Sequence, residues 1–389
     1  MRKFLWLFVW LVGWNLLGHA ASADSIRFSL LTCAPGTEIY ALFGHTALRY
    51  ENYSTKEDWV YNYGMFSFRT PHFVWRFVKG ETDYQLGKIP TIYFQEEYAQ
   101  RGSSVYQQEL NLSAEEKLRL YRLLEENYRP KNRVYRYNYF YDNCTSRARD
   151  KVEESLSGKV IYPVNEEVKT FRDIIHEYTD GHAWSEFGID LCLGSEADEP
   201  IDERKQMFAP FYLLAFARDA HIHRGGETVP FVKAETQLVK AKKKDAVASW
   251  LSPMTCALML LLVTVLVTYW SIRKKKVMWM WDALLFGAQG LGGCIIAFLF
   301  FFSVHPTVGS NWLILLFNPL PLLYLPFLIY KGVKGKKDGF HRVNVVYLTL
   351  FIIIMPFVQQ KFPATILPLA LSLLICSAGH LYLYYKKQS

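Results

Sequence analysis

Charged residues are scarce from Leu251 to the C-terminus of this 389-residue chain, where long apolar runs follow one another. A run of about 20 apolar residues is long enough to cross a bilayer, so the scarcity of charge here excludes a wholly soluble protein. Residues before about 250 have the mixed composition of a soluble domain. The five predicted spans are 253–272, 277–304, 312–330, 343–358 and 363–385.

Cysteine is also scarce, and its six positions divide equally between the two halves. Cys256, Cys294 and Cys376 lie in predicted spans, where we interpret them as packing residues. The other three, Cys33, Cys144 and Cys192, lie in the first half. An odd number excludes complete pairing, so at least one thiol there is free. A Cys33–Cys192 disulfide that leaves Cys144 free is one possibility, and the sequence does not decide it.

The N-terminus has the pattern of a secretory signal peptide. Arg2 and Lys3 precede an apolar run, Phe4–Leu17, and Ala21-Ser22-Ala23 offers a cleavage site between small residues. We therefore expect residues 1–23 to be removed and the mature chain to begin near Asp24. The alternative is an uncleaved membrane anchor. In either case the first domain is exported, which permits disulfides in it.

The loops between the predicted spans set the orientation, because basic residues concentrate on the cytoplasmic side. Basic residues follow the first, third and fifth spans, whereas the two remaining loops contain only Lys361. The N-terminal domain and the loops 305–310 and 359–362 should then face outward. The basic residues that follow these three spans are Arg273, Lys274, Lys275, Lys276, Lys331, Lys334, Lys336, Lys337, Arg342, Lys386 and Lys387.

This placement explains the formal net charge of +8, so the charge does not indicate a nucleic-acid partner. A cluster from Lys240 to Lys244 lies on the outer side, where it can rest on anionic headgroups. The predicted organisation is a signal peptide (1–23), an exported catalytic domain (24–235), a basic juxtamembrane linker (236–250) and a membrane domain of five spans (251–389).

The exported domain has an α+β pattern. Ile26–Thr32, His45–Tyr50 and Trp59–Tyr63 are predicted strands, and the last two are expected to form a long hairpin. Ser113 and Glu116 have the spacing of a capping box at a helix start. Asp142 and Asn143 are good N-cap residues, so a second helix is predicted to begin at Cys144.

Cys144 therefore lies in the first turn of a predicted helix, where backbone amides and the helix dipole favour negative charge. Such a thiol ionises readily, and the thiolate is a nucleophile. Amides near Asn143–Thr145 can hold the oxyanion that forms when it attacks a carbonyl, and Arg147 adds positive charge. The alternative interpretation is a buried, inert cysteine.

A cysteine nucleophile needs a base, and His45 follows a glycine at the start of a predicted strand. Asn62 on the next strand lies opposite His45 if the hairpin closes in register, and its amide can then orient the imidazole. A slip of one residue would bring Tyr61 or Tyr63 there instead. His221-x-His223 is a weak signal for a metal, and we expect no metal and no cofactor.

Three segments of this sequence resemble the N-terminal exported domain of the Lnb lipoprotein N-acyltransferases: LLTCAPGTEIYALFGHTALRY, VYNYGMFSF and YNYFYDNCTSRARD. In the membrane half, FFSVHPTVGSNWLILLFNPL is similar to the same family. The resemblance implies a circularly permuted papain-like fold of the NlpC type, followed by an all-α membrane domain. It also implies that Cys144 is the nucleophile and His45 the base, whereas the role of Asn62 is our own inference.

The reaction that the resemblance implies is acyl transfer from a phospholipid, through a Cys144 thioester, to the α-amine of a lipoprotein's N-terminal diacylglyceryl-cysteine. The expected partners are a phospholipid donor, a diacylated lipoprotein acceptor and the membrane, with no nucleic acid. The expected location is the inner membrane, crossed several times, with the catalytic domain in the periplasm. Further candidates for contacting the substrates are Asn143, Thr145, Arg147 and Tyr63.

The membrane half adds three candidates near the outer ends of its second and third spans: His305, Asn311 and Asn318. The two asparagines are seven residues apart, which places them on one face of a predicted helix. They are expected to contact lipid headgroups or to bond neighbouring helices, and the sequence favours neither. Asp282, near the inner end of the second span, is interpreted as an interfacial residue.

Two other classes of function remain open on the sequence alone. One is a membrane-anchored cysteine hydrolase of the same fold that cleaves peptidoglycan peptides or lipids. The other is a membrane assembly factor without enzymatic activity, whose exported domain binds a partner. A peptidoglycan enzyme is disfavoured, because a single anchor would suffice to tether it.

Overall fold

The structure, a computed structural model, describes residues 24–240 and 251–386. The predicted signal peptide and most of the predicted linker lie outside this range. The described chain forms two compact units. The sheet unit comprises residues 24–169 and 200–240, and the helical unit comprises 170–199 and 251–386. The sequence predicted one exported domain over residues 24–235, whereas the structure places residues 170–199 of that range in the helical unit.

The sheet unit is built on seven antiparallel strands in the order β12-β5-β1-β2-β3-β4-β6, and β7, β10 and β11 form a second, three-stranded sheet. The strands are β1 (Ile26–Cys33), β2 (His45–Asn52), β3 (Glu57–Met65), β4 (Asp83–Pro90), β5 (Val105–Leu110), β6 (Val134–Arg136), β7 (Lys159–Ile161), β8 (Lys169–Thr170), β9 (Pro200–Ile201), β10 (His221–Arg224), β11 (Glu227–Pro230) and β12 (Val232–Val239). The prediction that the linker begins at residue 236 is wrong, since β12 extends to Val239 and pairs with β5.

Helices and short 3-10 turns connect the strands and form the second unit. The helices are α1 (Phe73–Lys79), α2 (Thr91–Arg101), α3 (Ala114–Tyr128), α4 (Cys144–Ser155), α5 (Phe171–Thr179), α6 (Ala183–Cys192), α7 (Glu203–Gln206), α8 (Pro210–Asp219), α9 (Pro253–Lys274), α10 (Trp279–Phe302), α11 (Leu320–Val333), α12 (Gly339–Ile354) and α13 (Ile366–Lys386). The capping box of α3 is confirmed, because Ser113 and Glu116 each accept the other's backbone amide.

The interior strand β1 is buried on both faces of the large sheet. Successive side chains of a strand point to opposite faces. Phe28 and Leu30 join a core that includes residues of α3, α4 and α8. Leu31 and Cys33 join a second core beneath α2. Truncating such a fully buried leucine to alanine costs about 2–5 kcal/mol of unfolding free energy. The packed sheet therefore holds the residues at its strand ends in fixed positions.

The helical unit contains four helices that are long and apolar enough to cross a membrane: Pro253–Lys274, Trp279–Phe302, Gly339–Phe357 and Ile366–Tyr385. The fifth predicted span, 312–330, is not confirmed as a full span by this criterion. There the chain makes a 3-10 turn, Trp312–Ile314, and then the shorter apolar helix α11. Asn318 and Pro319 interrupt the run, because a proline cannot donate the helical hydrogen bond.

The segment 170–199 belongs to the helical unit because it is hydrogen-bonded to residues of the membrane half. Arg172 is fully buried and bonds Asp190 and Asp198 of the same segment. From the membrane half, Asn311 donates to the Leu191 carbonyl at 2.8 Å and Gln360 donates to the Leu193 carbonyl at 3.1 Å. These partners are more than 100 residues away in sequence, so no local pattern predicts the boundary.

Candidate active site

The first turn of α4 is organised by Asn143. Its side-chain oxygen accepts the backbone amides of Thr145 at 2.8 Å and Ser146 at 2.9 Å, and its own amide donates to the Ser146 hydroxyl. Its side-chain nitrogen donates to the carbonyls of Tyr139 and Phe208. This cap places Cys144 at the first helical position, as predicted. Asn143 is therefore a positioning residue, and its side chain has no donor left for a substrate.

His45 begins β2, and the preceding glycine makes that position possible. Gly44 has φ +73°, and a Cβ built there would lie 2.4 Å from the carbonyl oxygen of Cys33. Any side chain at residue 44 would collide with the backbone of β1. The glycine thus lets the chain turn tightly into β2 and bring His45 beside Cys144.

The Cys144 thiol and the His45 imidazole form an interacting pair. Burial raises the pKa of Cys144, but the charge and hydrogen bond of His45 outweigh it. With the backbone amide of Thr46 and the hydroxyl of Thr145, they lower this pKa to about 7. Burial lowers the pKa of His45, whereas Cys144 and the hydrogen bond with Asn62 raise it overall. The pair therefore favours a thiolate beside an imidazolium near neutral pH.

Asn62 lies at hydrogen-bond distance from His45, with its side-chain oxygen 2.5 Å from Nε2. The register pairs Leu48 with Tyr61, and its continuation places Gly64 opposite His45, so the expectation that Asn62 lies directly opposite His45 is wrong. Asn62 is two residues from Gly64 and so shares the face of His45. Because the Asn62 oxygen accepts a proton from Nε2, Nδ1 is the nitrogen that remains for the thiol.

Gly64 is a feature of the site that sequence reasoning missed. It has φ +85°, and a Cβ built there would lie 3.5 Å from Cβ of Cys144 and 3.9 Å from Cε1 of His45. β3 carries an irregularity between Asn62 and Met65 in its pairing with β4. The VYNYG segment is the only sequence signal for it, since a glycine after alternating strand residues often marks a bulge.

Only one of the three amides expected to hold the oxyanion remains available. The amides of Asn143 and Thr145 bond within the cap. Within the described residues, the Cys144 amide has no acceptor and lies next to its own thiol. Thr145 itself is buried and shares a hydrogen bond with Thr46, hydroxyl to hydroxyl at 3.1 Å. Thr145 thus supports the thiolate and joins α4 to β2.

Arg147 and Tyr63 do not have the substrate-facing positions expected of them. Arg147 makes a two-point ion pair with Asp142, with N–O distances of 2.6 and 2.7 Å, and stacks on the ring of Tyr135. Tyr63 is fully buried, and its hydroxyl donates to Asn127 at 2.6 Å. Both side chains are therefore engaged in structural contacts. Tyr135 and Asn127 belong to other elements of the fold, so the local sequence does not reveal these contacts.

A series of aromatic rings extends from the neighbourhood of Cys144 to the surface of the sheet unit. Tyr137 packs beside Gly64, and it stacks on Tyr84 with ring centroids 4.2 Å apart. Tyr84 contacts Phe66, which in turn contacts Phe68, a residue 67% exposed. We call these residues and their ring neighbours the aromatic path: Tyr40, Phe66, Phe68, Phe73, Phe77, Tyr84 and Tyr137.

The three membrane-half candidates have structural contacts in the helical unit. Asn311 is buried, accepts the Leu313 amide and fastens the segment 170–199. Asn318 bonds the backbone around itself, and a Cβ on Gly293 would lie only 2.2 Å from its carbonyl carbon. The prediction that the asparagines share a helical face is wrong, because both precede helical turns. His305 is partly buried in the loop before them.

The structure also shows the state of the cysteines and of Asp282. All six cysteines are free, so the possible Cys33–Cys192 disulfide is not formed. Burial raises the pKa of Cys33 well above its usual value, which leaves Cys144 as the more acidic thiol of the sheet unit. Asp282, which was interpreted as interfacial, lies in the first turn of its helix, is 6% exposed and bonds Cys376 and His380.

Comparison with known families finds two matches that together include most of the chain. Residues 17–177 match the Lnb N-terminal periplasmic domain, and residues 244–388 match the Lnb transmembrane domain. No curated protein and no solved structure matches the chain.

Proposed function

Because the chain belongs to the Lnb-type lipoprotein N-acyltransferase family, we propose that it moves an acyl chain from a phospholipid to the α-amine of a lipoprotein's N-terminal diacylglyceryl-cysteine. The chain is a multi-pass membrane protein with a periplasmic N-terminal domain. We assign it to the inner membrane. The observation that carries the proposal is the Cys144–His45 pair, with a thiol pKa near 7 and an imidazole held by Asn62.

In the first step the Cys144 thiolate attacks an ester carbonyl of the phospholipid. A C–S bond forms, and the negative charge that develops on the carbonyl oxygen is met by the Cys144 amide. The ester C–O bond then breaks, and the lysophospholipid leaves with a proton from His45. The acyl chain remains on Cys144 as a thioester, which divides one difficult exchange into two easier ones.

In the second step the lipoprotein amine attacks the thioester. A C–N bond forms, the C–S bond breaks, and the proton lost by the amine goes to His45. Cys144 leaves as a thiolate beside the imidazolium, which restores the starting state. Asn62 keeps the ring oriented throughout, because its oxygen holds Nε2 while Nδ1 exchanges protons.

Water must not replace the amine, or the enzyme becomes a lipase. Cys144 is only 8% exposed, and the aromatic path supplies apolar surface from Phe68 to Tyr137 next to it. We propose that the acyl chain lies along this path, because burying its methylene groups is favourable by about 0.8 kcal/mol each. The bound chain would then itself exclude water from the thioester.

The test is a reconstitution of the full-length protein in phospholipid vesicles with a synthetic diacylglyceryl lipopeptide. Mass spectrometry should find the N-acylated peptide together with lysophospholipid, and a hydroxylamine-sensitive acyl group on Cys144. Cys144→Ala should abolish all three products, whereas Cys192→Ser, a half-buried thiol of the other unit, should retain them.

The other outcomes separate the remaining classes of function. Free fatty acid and lysophospholipid without N-acylated peptide would identify a lipid hydrolase of the same fold. A folded wild-type protein that releases no lysophospholipid would support an assembly factor. Either result would contradict the proposal.

A further inference from the structure

A cluster of buried polar side chains lies among three helices of the helical unit and takes no part in the acyl-transfer chemistry. Asp282 is in the first turn of α10, His341 in the first turn of α12, and His380 near the end of α13. One potential ligand atom of each lies within 4.8 Å of those of the other two. Three different helices thus bring metal-ligating groups within a few ångströms of one another.

The contacts within the cluster leave one group unsatisfied. His380 Nδ1 lies 3.1 Å from one oxygen of Asp282, and the Cys376 thiol lies 3.0 Å from the other. His341 stacks on His380 with ring centroids 3.8 Å apart, and its Nδ1 contacts the hydroxyl of Ser377. The other ring nitrogen of His341 is buried and has no partner within the described residues.

The charge of the cluster also needs a partner. Asp282 is buried within an apolar helix, and no lysine or arginine of the described residues forms an ion pair with it. A proton on His380 would balance the carboxylate, yet it would leave the lone nitrogen of His341 unpaired. A dication bound by all three side chains supplies the carboxylate with an opposite charge, which leaves the site at a net charge of +1, and it also gives that nitrogen a partner.

We propose that Asp282, His341 and His380 bind a transition-metal dication of the zinc type. Two imidazoles and one carboxylate are a common ligand set for zinc, whereas magnesium and calcium prefer oxygen ligands alone. A cavity of about 20 Å³ beside the cluster is lined by Asp282, Cys376 and His380. This volume holds one water molecule, which supplies the fourth ligand.

The neighbours of the site have the arrangement of an outer ligand shell. The Cys376 thiol donates to Asp282 and orients its carboxylate, and Ser377 contacts the second nitrogen of His341. Asn344 in turn donates to Ser377 at 2.8 Å. Partners of this kind fix ring orientation and ligand basicity in metal sites. The metal would join α10, α12 and α13, so its expected effect is to stabilise the helical unit.

The experiment uses the purified full-length protein in detergent, first stripped with a chelator and then equilibrated with zinc chloride. Elemental analysis after removal of free metal should find about one zinc per chain. Zinc should also raise the thermal unfolding midpoint of the wild type. In Asp282→Asn and in His380→Gln, zinc affinity should fall more than about 10-fold and the thermal shift should disappear, since even outer-shell changes weaken metal sites by that factor.

The matched control is the His221→Asn, His223→Asn double variant, which removes two exposed histidines from β10 and should keep both the zinc and the thermal shift. A wild type that retains no zinc would overturn the proposal, and so would variants that retain as much zinc as the wild type. If the variants do not fold, cobalt(II) added to the wild type decides. An absorption band of four-coordinate cobalt that disappears when zinc is added supports the site. If cobalt gives no such band, the proposal is contradicted.

Discussion

The sheet unit and the helical unit each contain a buried cysteine beside polar partners, and the partners differ in kind. Cys144 receives hydrogen bonds from His45, the Thr46 amide and the Thr145 hydroxyl, all of which stabilise a thiolate. Cys376 instead donates its proton to the carboxylate of Asp282. Burial is similar at 8% and 4% exposure. Whether a buried cysteine becomes a nucleophile therefore depends on whether its neighbours donate or accept protons.

The largest expected effect concerns the acidity of these two thiols. Alkylation of Cys144 by iodoacetamide, followed by peptide mass spectrometry, should have a midpoint near pH 7, and the rate should fall about 10-fold per unit below it as the thiolate is protonated. In His45→Ala the midpoint should rise, because burial still raises the pKa of Cys144 while the charge and hydrogen bond that lower it are lost. Cys376 should react slowly at every pH in both proteins. An unchanged Cys144 midpoint in His45→Ala would contradict the pairing.

A smaller effect on kcat/KM is expected when His45 is kept but the side chain that orients its ring is removed. Asn62→Ala removes the acceptor of His45 Nε2, so the ring can rotate away from Cys144. We expect kcat/KM for lipopeptide acylation to fall about 10- to 100-fold, less than for loss of the base, which contributes up to about 10⁴-fold. Asn111→Ala is the control, since among the described residues this side chain bonds the Pro230 carbonyl alone. Equal activities of the two variants would exclude an orienting role for Asn62.

The N-caps of α3 and α4 permit a matched comparison within the sheet unit. Asn143→Ala and Ser113→Ala each remove a side chain that accepts helix amides, so each should lower the unfolding free energy by about 1 kcal/mol in chemical denaturation. Only Asn143→Ala should also lower acyl transfer, because it displaces the Cys144 amide and thiol. Equal loss of activity in both variants would mean that reduced stability, rather than positioning, is responsible.

The smallest effect is expected for a methyl group at a glycine with positive φ. Gly64→Ala and Gly225→Ala should each cost about 1–2 kcal/mol of stability, because both positions have positive φ, which a residue with a Cβ adopts only with strain. Gly64→Ala should also lower kcat/KM, since its Cβ meets Cys144 and His45, whereas residue 225 has open space around it. Equal kcat/KM values for the two variants would show that the space beside the pair is not needed by the substrate.

Local features of the site were predictable from the sequence because their causes are local. The Asn143 cap acts within four residues, so the start of α4 at Cys144 follows from residue types alone. Asn62 was expected directly opposite His45, but the register places Gly64 there, and Asn62 reaches the imidazole from two residues away on the same face. Gly64 was missed because its importance comes from the approach of Cys144, a residue 80 positions later.

Features that depend on distant partners were not predictable in the same way. Arg147 was expected to offer its charge to the site, but Asp142 and Tyr135 occupy it. Asn311 was expected at a headgroup or between helices, yet it bonds a carbonyl of the segment 170–199. A side chain's residue type limits what it can bind, whereas its neighbours decide what it does bind.

The sequence by itself determined that the second half lies in a membrane and that a helix begins at Cys144, because these depend on composition and on contacts within a few residues, whereas the choice of Cys144 as the candidate nucleophile rested on the family resemblance. Only the tertiary structure decided which groups surround each polar side chain. It brought His45 and Asn62 to Cys144, and Asp282, His341 and His380 to one another. Such groups are separated by many residues in the chain, and their distances are set by the packing of sheets and helices that no local pattern encodes.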